Sequence, residues 1–295
     1  MNENLQPQTL VIKDWVSDAS KQLSNIGILS AHLDAEIILS HTLNKNRTYL
    51  HAHSDEHLNV KDHDNATKLL KQRLKRKPIA YIVGFKEFFG RNFIVNTKTL
   101  IPRPESEDII LLLRNILYTD ARYYEDTEKL SLFDIGTGSG CLGITAKLEF
   151  PKLDVFLSDI DSSALKIAKK NAKKLSANIE IIKSDLFDGY NNKTDIIIAN
   201  LPYVNKNWVR SPETNYEPSL ALFSDKGGRL VIEKLLGEAN NSLKLGGYVL
   251  IEADPTQHKS LIKFAKKYNY INIHKKNYII AFKLNDVSAN TIENQ

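Results

Sequence analysis

The stretch 132–140 reads Leu-Phe-Asp-Ile-Gly-Thr-Gly-Ser-Gly, and Cys-Leu-Gly-Ile follows it directly. An apolar run that meets three closely spaced glycines and then a helix-forming segment predicts a strand, a tight turn and a helix. Bare backbone at such a turn lets a ligand approach closely. The stretch therefore predicts one βα unit of an α/β domain, with a ligand site at the turn.

Strand-like and helix-like segments alternate from residue 131 onward. The predicted strands are 131–135, 154–158, 179–183, 195–199, 247–252, 270–274 and 277–283. The predicted helices are 139–149, 161–175, 227–244 and 255–268, the third closed by Gly246 and Gly247. This alternation predicts a doubly wound parallel sheet of seven strands. The last two strands are too close for a helical crossover, so we expect them to form an antiparallel hairpin.

The residues around this domain predict three further parts. Residues 1–84 carry apolar side chains at helical spacing and predict a small helical bundle. Residues 85–105 hold short β-type runs followed by Pro102 and Pro104, which predicts a β-hairpin linker. We expect the α/β domain over 106–285 and a flexible polar tail over 286–295.

Composition narrows the class of protein. The chain has 295 residues, of which 42% are hydrophobic, so it can bury a sizeable core. Its single cysteine, Cys141, excludes an intrachain disulfide and fits a reducing compartment. The N-terminus is unlike a signal peptide and no apolar run has the length of a membrane span. We expect a soluble cytoplasmic protein without a membrane partner; the net charge of +5 permits an acidic partner but does not require one.

The glycine loop predicts a nucleoside-type cofactor. Cys141 stands where a dinucleotide fingerprint would carry its third glycine, and Asp134 directly precedes the loop. A carboxylate there can help to hold the cationic amino-acid end of S-adenosylmethionine. NAD and a merely structural βα turn remain alternatives.

Two more acids follow the next two strands. Asp159 is placed to accept hydrogen bonds from both ribose hydroxyls, and Asp185 to meet the adenine amino group, with Leu186 or Phe187 against the ring. The predicted cofactor-binding residues are Asp134, Gly136, Thr137, Gly138, Ser139, Gly140, Asp159, Asp185, Leu186 and Asn200.

The sequence Asn200-Leu201-Pro202-Tyr203 follows the buried strand 195–199. The Asn200 side-chain oxygen and the Leu201 carbonyl can each accept one N–H of a planar NH2 group. Pro202 restricts Leu201 to extended backbone, and Tyr203 offers a ring to stack on. We predict these four residues as catalytic and substrate-binding residues for transfer of a methyl group to such a nitrogen. A strand-ending turn is the structural alternative.

These residues resemble a known family, the class I methyltransferases that methylate a glutamine side-chain amide in peptide chain release factors. The resemblance covers nearly the whole chain, and its most specific part is the segment 101–107, Ile-Pro-Arg-Pro-Glu-Ser-Glu. It also includes the glycine loop, the segment 184–187, Asn200 and the segment 216–222, Tyr-Glu-Pro-Ser-Leu-Ala-Leu. Two departures are Ser106, where the family usually has Thr, and Leu201, where it usually has Pro.

The resemblance implies a function. It implies N5-methylation, from S-adenosylmethionine, of the glutamine in the Gly-Gly-Gln motif of release factors, which tunes translation termination. It also implies that the helical domain grips the release factor and that Arg103 and Glu105 take part in substrate binding. No direct nucleic-acid substrate is expected. Two alternatives stay open: an enzyme that methylates adenine N6 in ribosomal RNA or DNA, and a cofactor-binding module without activity.

Three other features of the sequence each allow a structural and a functional interpretation. His51, His53, His57 and His63 cluster in the helical domain, but their polar surroundings favour a solvated surface, and we expect no metal. A basic run at 71–77 favours a solvated helix face, with docking to an acidic partner as the alternative. The segment 204–222 is either a lid over the acceptor site or an ordinary connection.

Overall fold

The computed structural model describes residues 10–123 and 129–285. These residues form two compact units. The first holds the residues up to Gly84 together with Ser211–Tyr216, and the second holds Phe85–Arg210 together with the residues from Glu217 onward. The tail predicted for 286–295 lies outside the described residues. No helix within them is long and apolar enough to span a bilayer.

The first unit is helical, as predicted. Its helices within the described residues are α1 (Ile12–Asn25), α2 (Ala31–Leu43), α3 (Arg47–Ala52), α4 (Val60–Leu74) and α5 (Ile79–Val83). Apolar residues at spacings of three and four, such as Trp15, Ala19 and Leu23, place one face of α1 in a core shared with Ile38 and Leu70. Gly84 ends α5 with a φ of +83°, a conformation that glycine adopts without strain.

Residues 211–216 belong to this unit because charged groups hold them there. They form a 3-10 turn at Pro212–Tyr216. The carboxylate of Glu213 pairs with Arg73 at 3.0 Å and with Arg76 at 3.1 Å. Arg73 is buried and also pairs with Asp34 at 2.7 Å, and the hydroxyl of Tyr216 donates to the carbonyl of Lys75. The basic run is therefore partly engaged in structural ion pairs.

The second unit begins with a hairpin of β1 (Phe85–Phe88) and β2 (Arg91–Ile94), paired antiparallel. Phe88 and Phe93 are fully buried and pack edge to face, with ring centroids 6.1 Å apart. A 3-10 turn at Pro104–Ser106 then leads into α6 (Glu107–Thr119). The hairpin is predicted correctly, and its aromatic pair joins the hydrophobic core of the sheet.

The sheet has seven strands within the described residues. They are β3 (Ser131–Ile135), β4 (Asp154–Asp159), β5 (Glu180–Lys183), β6 (Thr194–Ala199), β7 (Leu243–Glu252), β8 (Tyr270–Lys276) and β9 (Ile279–Leu284). Their order is β5-β4-β3-β6-β7-β9-β8. Strands β3 to β7 run parallel, and β9 is antiparallel to both β7 and β8. The predicted fold class, a doubly wound sheet with a C-terminal antiparallel hairpin, is confirmed.

Helices cover both faces of this sheet. They are α7 (Cys141–Glu149), α8 (Ser162–Lys174), α9 (Ser219–Leu222), α10 (Asp225–Gly228), α11 (Leu230–Ser242) and α12 (His258–Ala265). Successive side chains of β3 and β6 point to opposite faces of the sheet. Each face carries a cluster of buried apolar side chains, and Leu132 belongs to one cluster and Phe133 to the other. Because β3 and β6 are neighbours at the point where the strand order reverses, their carboxyl ends open onto one crevice.

The predicted end of the long helix is wrong. We expected Gly246 and Gly247 to close a helix over 227–244, but the helix ends at Ser242 and both glycines lie within β7. Gly246 has a φ of +75°, and the pairing with β6 shifts register here. A Cβ on Gly247 would lie 2.8 Å from the carbonyl oxygen of Asp195. These glycines therefore form a bulge in the strand rather than a helix cap.

Candidate active site

The glycine loop joins β3 to α7 and takes the conformation that its glycines permit. Gly136, Gly138 and Gly140 have φ values of +70°, +55° and +82°. A Cβ on Gly136 would lie 2.6 Å from Cδ2 of Leu201, so the loop touches the segment that follows β6. A Cβ on Gly140 would lie 2.7 Å from Ile144, so this glycine serves the packing of α7 and does not line the cleft.

The buried carboxylate of Asp134 holds the glycine loop and the start of α7 through hydrogen bonds. Its Oδ2 accepts hydrogen bonds from the Thr137 hydroxyl at 2.6 Å and from the Gly143 amide at 2.9 Å. Its Oδ1 is buried and has no hydrogen-bond partner among the residues that the structure describes. Burial raises the pKa of this carboxyl to about 7, although both hydrogen bonds act in the opposite direction. An unpartnered carboxylate oxygen at the wall of a cleft is suited to receive a cationic group.

Asp159 fixes the same loop from the end of β4. Its Oδ2 accepts from the Gly138 amide and its Oδ1 from the Asp161 amide, both at 2.9 Å. Burial raises the pKa of Asp159, and these backbone hydrogen bonds oppose the rise. A carboxylate offers about four acceptor positions, so each oxygen keeps room for a second donor. The side chain lines the cleft, where we predicted the ribose contact.

Asp185, Leu186 and Phe187 lie in different surroundings. Asp185 and Leu186 line the cleft, and the Asp185 carboxylate forms a half-exposed ion pair with Lys234 at 3.2 Å. Phe187 does not line it and packs edge to face on Phe133 in the core, with centroids 6.1 Å apart. Of the two apolar residues that we considered for the adenine ring, only Leu186 lines the cleft.

Asn200 stands at the carboxyl end of β6, across from the glycine loop. Its Nδ2 donates to Oε2 of Glu252 at 2.9 Å and to Oγ of Ser106 at 3.0 Å. A carboxylate is an acceptor only, so the NH2 group of Asn200 must face Glu252. Within the described residues no donor contacts Oδ1 of Asn200 or the carbonyl of Leu201. Both oxygens are therefore open to a ligand in the cleft that these residues line.

Tyr203 is held from two sides. Its hydroxyl donates to Oε1 of Glu252 at 2.8 Å, and its carbonyl accepts from Nε2 of Gln257 at 2.8 Å. Burial and the neighbouring carboxylate raise the pKa of Tyr203, so the phenol stays protonated. A Cβ on Gly228 would lie 1.9 Å from the same carbonyl oxygen, and only a residue without a side chain fits there. Tyr203 itself is not among the residues that line the cleft.

Three side chains that support the site, Glu252, Gln257 and Asn171, are not among the residues predicted from the sequence. Glu252 and Gln257 are buried, and so is Asn171, which donates to the carbonyls of Ser139 and Ile94. An acid at the end of the strand 247–252 is a signal that could have found Glu252. Gln257 directly precedes α12 and Asn171 lies in α8, and no local sequence pattern distinguishes either residue.

The segment around Arg103 is joined to the segment 216–222. Arg103 pairs with Glu217 at 2.5 Å, and the amide of Ile101 donates to the other oxygen of the same carboxylate at 3.2 Å. Glu217 is buried, whereas Glu105 is exposed. Pro102 and Ser106 line the cleft, but Arg103 and Glu105 do not. Their predicted contact with a substrate remains a prediction.

Cys141 lines the cleft, and the histidines of the first unit lie among polar side chains. Burial raises the pKa of the Cys141 thiol to about 12, so it stays protonated. His51 and His32 lie within 3.0 and 3.2 Å of the buried Glu36, and His53 stacks on Tyr49. In the described part of the chain, no group of three or more His, Cys, Asp or Glu side chains could hold a metal ion.

Two protein families match the chain. The PrmC N-terminal domain matches residues 14–84, and the methyltransferase small domain matches residues 116–214. A release factor glutamine methyltransferase of Koribacter versatilis is 33% identical over 256 residues, which cover 83% of this chain and 89% of that protein. A release factor glutamine methyltransferase of Bacillus cereus is 34% identical over 223 residues, which cover 74% of this chain and 77% of that protein.

The chain is also similar to a longer relative and to one solved structure. A bifunctional methyltransferase of Rickettsia conorii is 35% identical over 285 residues, which cover 88% of this chain but 54% of that protein. The chain thus spans about half the length of such relatives. The T. thermophilus 16S rRNA N2 G1207 methyltransferase, solved with AdoMet and guanosine, matches with a TM-score of 0.50 and 15% identity, covering 68% of this chain and 50% of that one. This likeness concerns the fold alone.

Proposed function

The chain belongs to the family of release factor glutamine methyltransferases, and we propose that it transfers a methyl group from S-adenosylmethionine to a glutamine side-chain amide in a peptide chain release factor. The observation that carries the proposal is the orientation of Asn200. Its NH2 group is committed to Glu252 and Ser106, which leaves its oxygen as an acceptor beside the glycine loop. That arrangement suits a planar NH2 group on the substrate.

The glycine loop and its acids fit S-adenosylmethionine, which supplies an electrophilic methyl group on a sulfonium sulfur. Asp134 would hold the ammonium of the amino-acid end, because no described residue donates to its buried Oδ1. The backbone of residues 136–139, which lines the cleft, would pack against that end. Asp159 would accept the ribose hydroxyls on its remaining lone pairs. Leu186 would lie against the adenine ring and Asp185 would meet its amino group.

The acceptor turn would position the glutamine amide. The Asn200 oxygen would accept one N–H and the Leu201 carbonyl the other, so that the nitrogen faces the donor methyl group. An amide nitrogen is a weak nucleophile, and holding it in line with the reacting carbon can supply several kcal/mol of the barrier reduction, about 7 or more in favourable cases. Tyr203 does not line the cleft, so its packing on the amide plane remains a prediction. Arg103 and Glu105, outside the cleft, would contact the surrounding release factor.

The domain boundaries follow from the same assignment. We infer that the helical unit binds the release factor and that 106–285 carries the chemistry, with 85–105 as the linker. The expected setting is the cytoplasm, with the release factor as the protein partner and no nucleic-acid substrate.

An acceptor comparison tests the proposal. The protein is incubated with labelled S-adenosylmethionine and with purified release factor, release factor whose Gly-Gly-Gln glutamine is replaced by asparagine, or ribosomal RNA. Label on the first acceptor alone supports the proposal. Label on the RNA and none on either protein would establish an adenine methyltransferase instead, and donor binding without any transfer would establish a module without activity.

A further inference from the structure

Glu252 is a buried carboxylate at the end of β7 to which three side-chain donors converge. Its Oε2 accepts from Nδ2 of Asn200 at 2.9 Å and from the Ser106 hydroxyl, and its Oε1 accepts from the Tyr203 hydroxyl at 2.8 Å. The exposed fraction of Glu252 is 1%, so water does not compete with these donors for its oxygens. All four side chains belong to the second unit, which Phe85–Arg210 and the residues from Glu217 onward compose.

A free asparagine amide has two orientations that differ by a half-turn. In one orientation the oxygen faces the cleft, and in the other the NH2 group does. An NH2 group in that place would meet the NH2 group of an incoming glutamine, donor against donor. In its ionised form the carboxylate of Glu252 admits only the orientation in which Asn200 presents its oxygen. Burial raises the pKa of Glu252, and the hydrogen bonds from Ser106 and Tyr203 oppose that rise. The Ser106 hydroxyl supports the same choice, since it accepts from Nδ2 while it donates to Glu252.

We propose that Glu252 is a positioning residue that fixes the side-chain amide of Asn200 with its oxygen toward the acceptor nitrogen, and that it acts as a hydrogen-bond acceptor rather than as a base. The inference rests on the proposed function for its catalytic consequence. The orientation that Glu252 imposes on the Asn200 side chain does not depend on that function. Apart from Asn200, the proposed donor contacts lie on the glycine loop and at the ends of β4 and β5.

Substitutions at 252 separate positioning from charge. Glu252→Gln keeps an acceptor for Asn200, because the glutamine NH2 group can turn toward the Tyr203 oxygen; we expect kcat to fall about fivefold or less. Glu252→Leu removes the acceptor, and kcat falls about 10²-fold while the affinity for S-adenosylmethionine is unchanged. A loss with Gln as large as the loss with Leu would overturn the proposal, because it would mean that the charge itself is required.

A swap of the two groups tests their coupling. Asn200→Asp alone sets two carboxylates against each other and is expected to be inactive. Adding Glu252→Gln lets the glutamine NH2 group donate to the new carboxylate, and we expect at least about tenfold recovery over the single variant. Additive effects in this cycle would contradict the proposed contact. Asp195→Asn is the matched control, since Asp195 is a buried carboxylate at the opposite end of β6; its variant should keep the wild-type kcat.

A measurement without substrate keeps this inference distinct from the methyl-transfer proposal. The side-chain amide protons of Asn200, identified by their loss in Asn200→Asp, should exchange slowly with solvent in the wild type and in Glu252→Gln, and rapidly in Glu252→Leu. Equal exchange in all three proteins would overturn the positioning role. Slow exchange together with no transfer to a release factor would overturn the proposed function and leave the role of Glu252 in place.

Discussion

Gly136 and Leu201 are in direct contact, since a Cβ on Gly136 would lie 2.6 Å from Cδ2 of Leu201. The first residue belongs to the proposed donor loop and the second to the proposed acceptor turn. The two halves of the site therefore meet through bare backbone on one side and a buried side chain on the other.

Replacement of Gly136 by alanine should damage both halves. The new methyl group must displace Leu201, and a φ of +70° costs a residue with a Cβ about 1–2 kcal/mol. We expect weaker donor binding by calorimetry and at least about tenfold slower transfer. Gly189→Ala is the control, because Gly189 has a similar φ of +76° with open space around it. If both variants lose stability equally and both keep full donor affinity, the contact has no functional role.

The neighbouring glycines Gly227 and Gly228 allow a test of the close packing against the acceptor turn, residues 200–203. A Cβ on Gly228 would lie 1.9 Å from the carbonyl oxygen of Tyr203, whereas a Cβ on Gly227 would meet only side-chain ends at 3.9 Å. Both residues have positive φ, so the backbone strain of an alanine is similar. We expect Gly228→Ala to shift the turn and lower kcat about 10²-fold, and Gly227→Ala to keep most of it. Equal kcat values for the two variants would refute the role of this close approach.

The buried carboxyl of Asp134 makes the stability of the free protein depend on pH. Its pKa of about 7 in the folded state lies above the ordinary value of 3.8, so between these values the folded state holds a proton that the unfolded state has released. The free energy of unfolding should therefore fall as the pH rises from about 4 to about 7. Denaturant titrations of the wild type and Asp134→Asn measure this, and the variant should show a smaller fall. Parallel pH profiles would show that Asp134 is ionised throughout.

Donor binding should depend on the same group in the opposite direction. The ammonium of S-adenosylmethionine pairs with the ionised form of Asp134, so affinity should rise as the pH increases from about 5.5 to about 7.5. Calorimetric titration measures the affinity, and Asp134→Asn should bind weakly with a flat profile. A flat profile in the wild type would argue against a contact between Asp134 and the amine.

The buried ion pair of Arg73 and Asp34 should stabilise the first unit. Asp34→Asn leaves the buried guanidinium with Glu213 as its remaining carboxylate partner, and we expect a loss of about 3 kcal/mol in the free energy of unfolding. Asp55→Asn serves as a control, because the pair of Asp55 with Lys13 is exposed; its midpoint should be unchanged. Denaturation followed by circular dichroism compares the two. A wild-type midpoint in Asp34→Asn would show that the pair contributes nothing.

Local patterns predicted the elements whose signals are local. The glycine loop, most of the alternating segments and the late hairpin follow from short-range periodicity, and they lie close to their predicted ranges. Gly246 and Gly247 were misassigned because two glycines after a helical pattern resemble a cap, and only the pairing of β7 with β6 reveals a bulge. The placement of 211–216 in the first unit depends on Glu213 meeting Arg73, a contact between residues 140 positions apart.

The sequence predicted several residues that line the cleft, but not the side chains that hold them. Asn200, Asp134 and Asp159 could be predicted because each lies at or next to the end of a strand that the local pattern reveals. Glu252 and Gln257 fix Asn200 and Tyr203 through contacts across about 50 positions of sequence, which no spacing rule captures. Supporting residues of this kind are determined by strand order, and strand order becomes visible only in the folded chain.

Mass spectrometry of the modified release factor tests the central claim most directly. A purified release factor is incubated with S-adenosylmethionine and either the wild-type protein or Asn200→Ala, then digested and mapped. We predict one added methyl group, on the side chain of the Gly-Gly-Gln glutamine, with the wild-type protein and none with Asn200→Ala, although the variant still binds the donor. A methyl group on any other residue, or an equal yield with Asn200→Ala, would contradict the account.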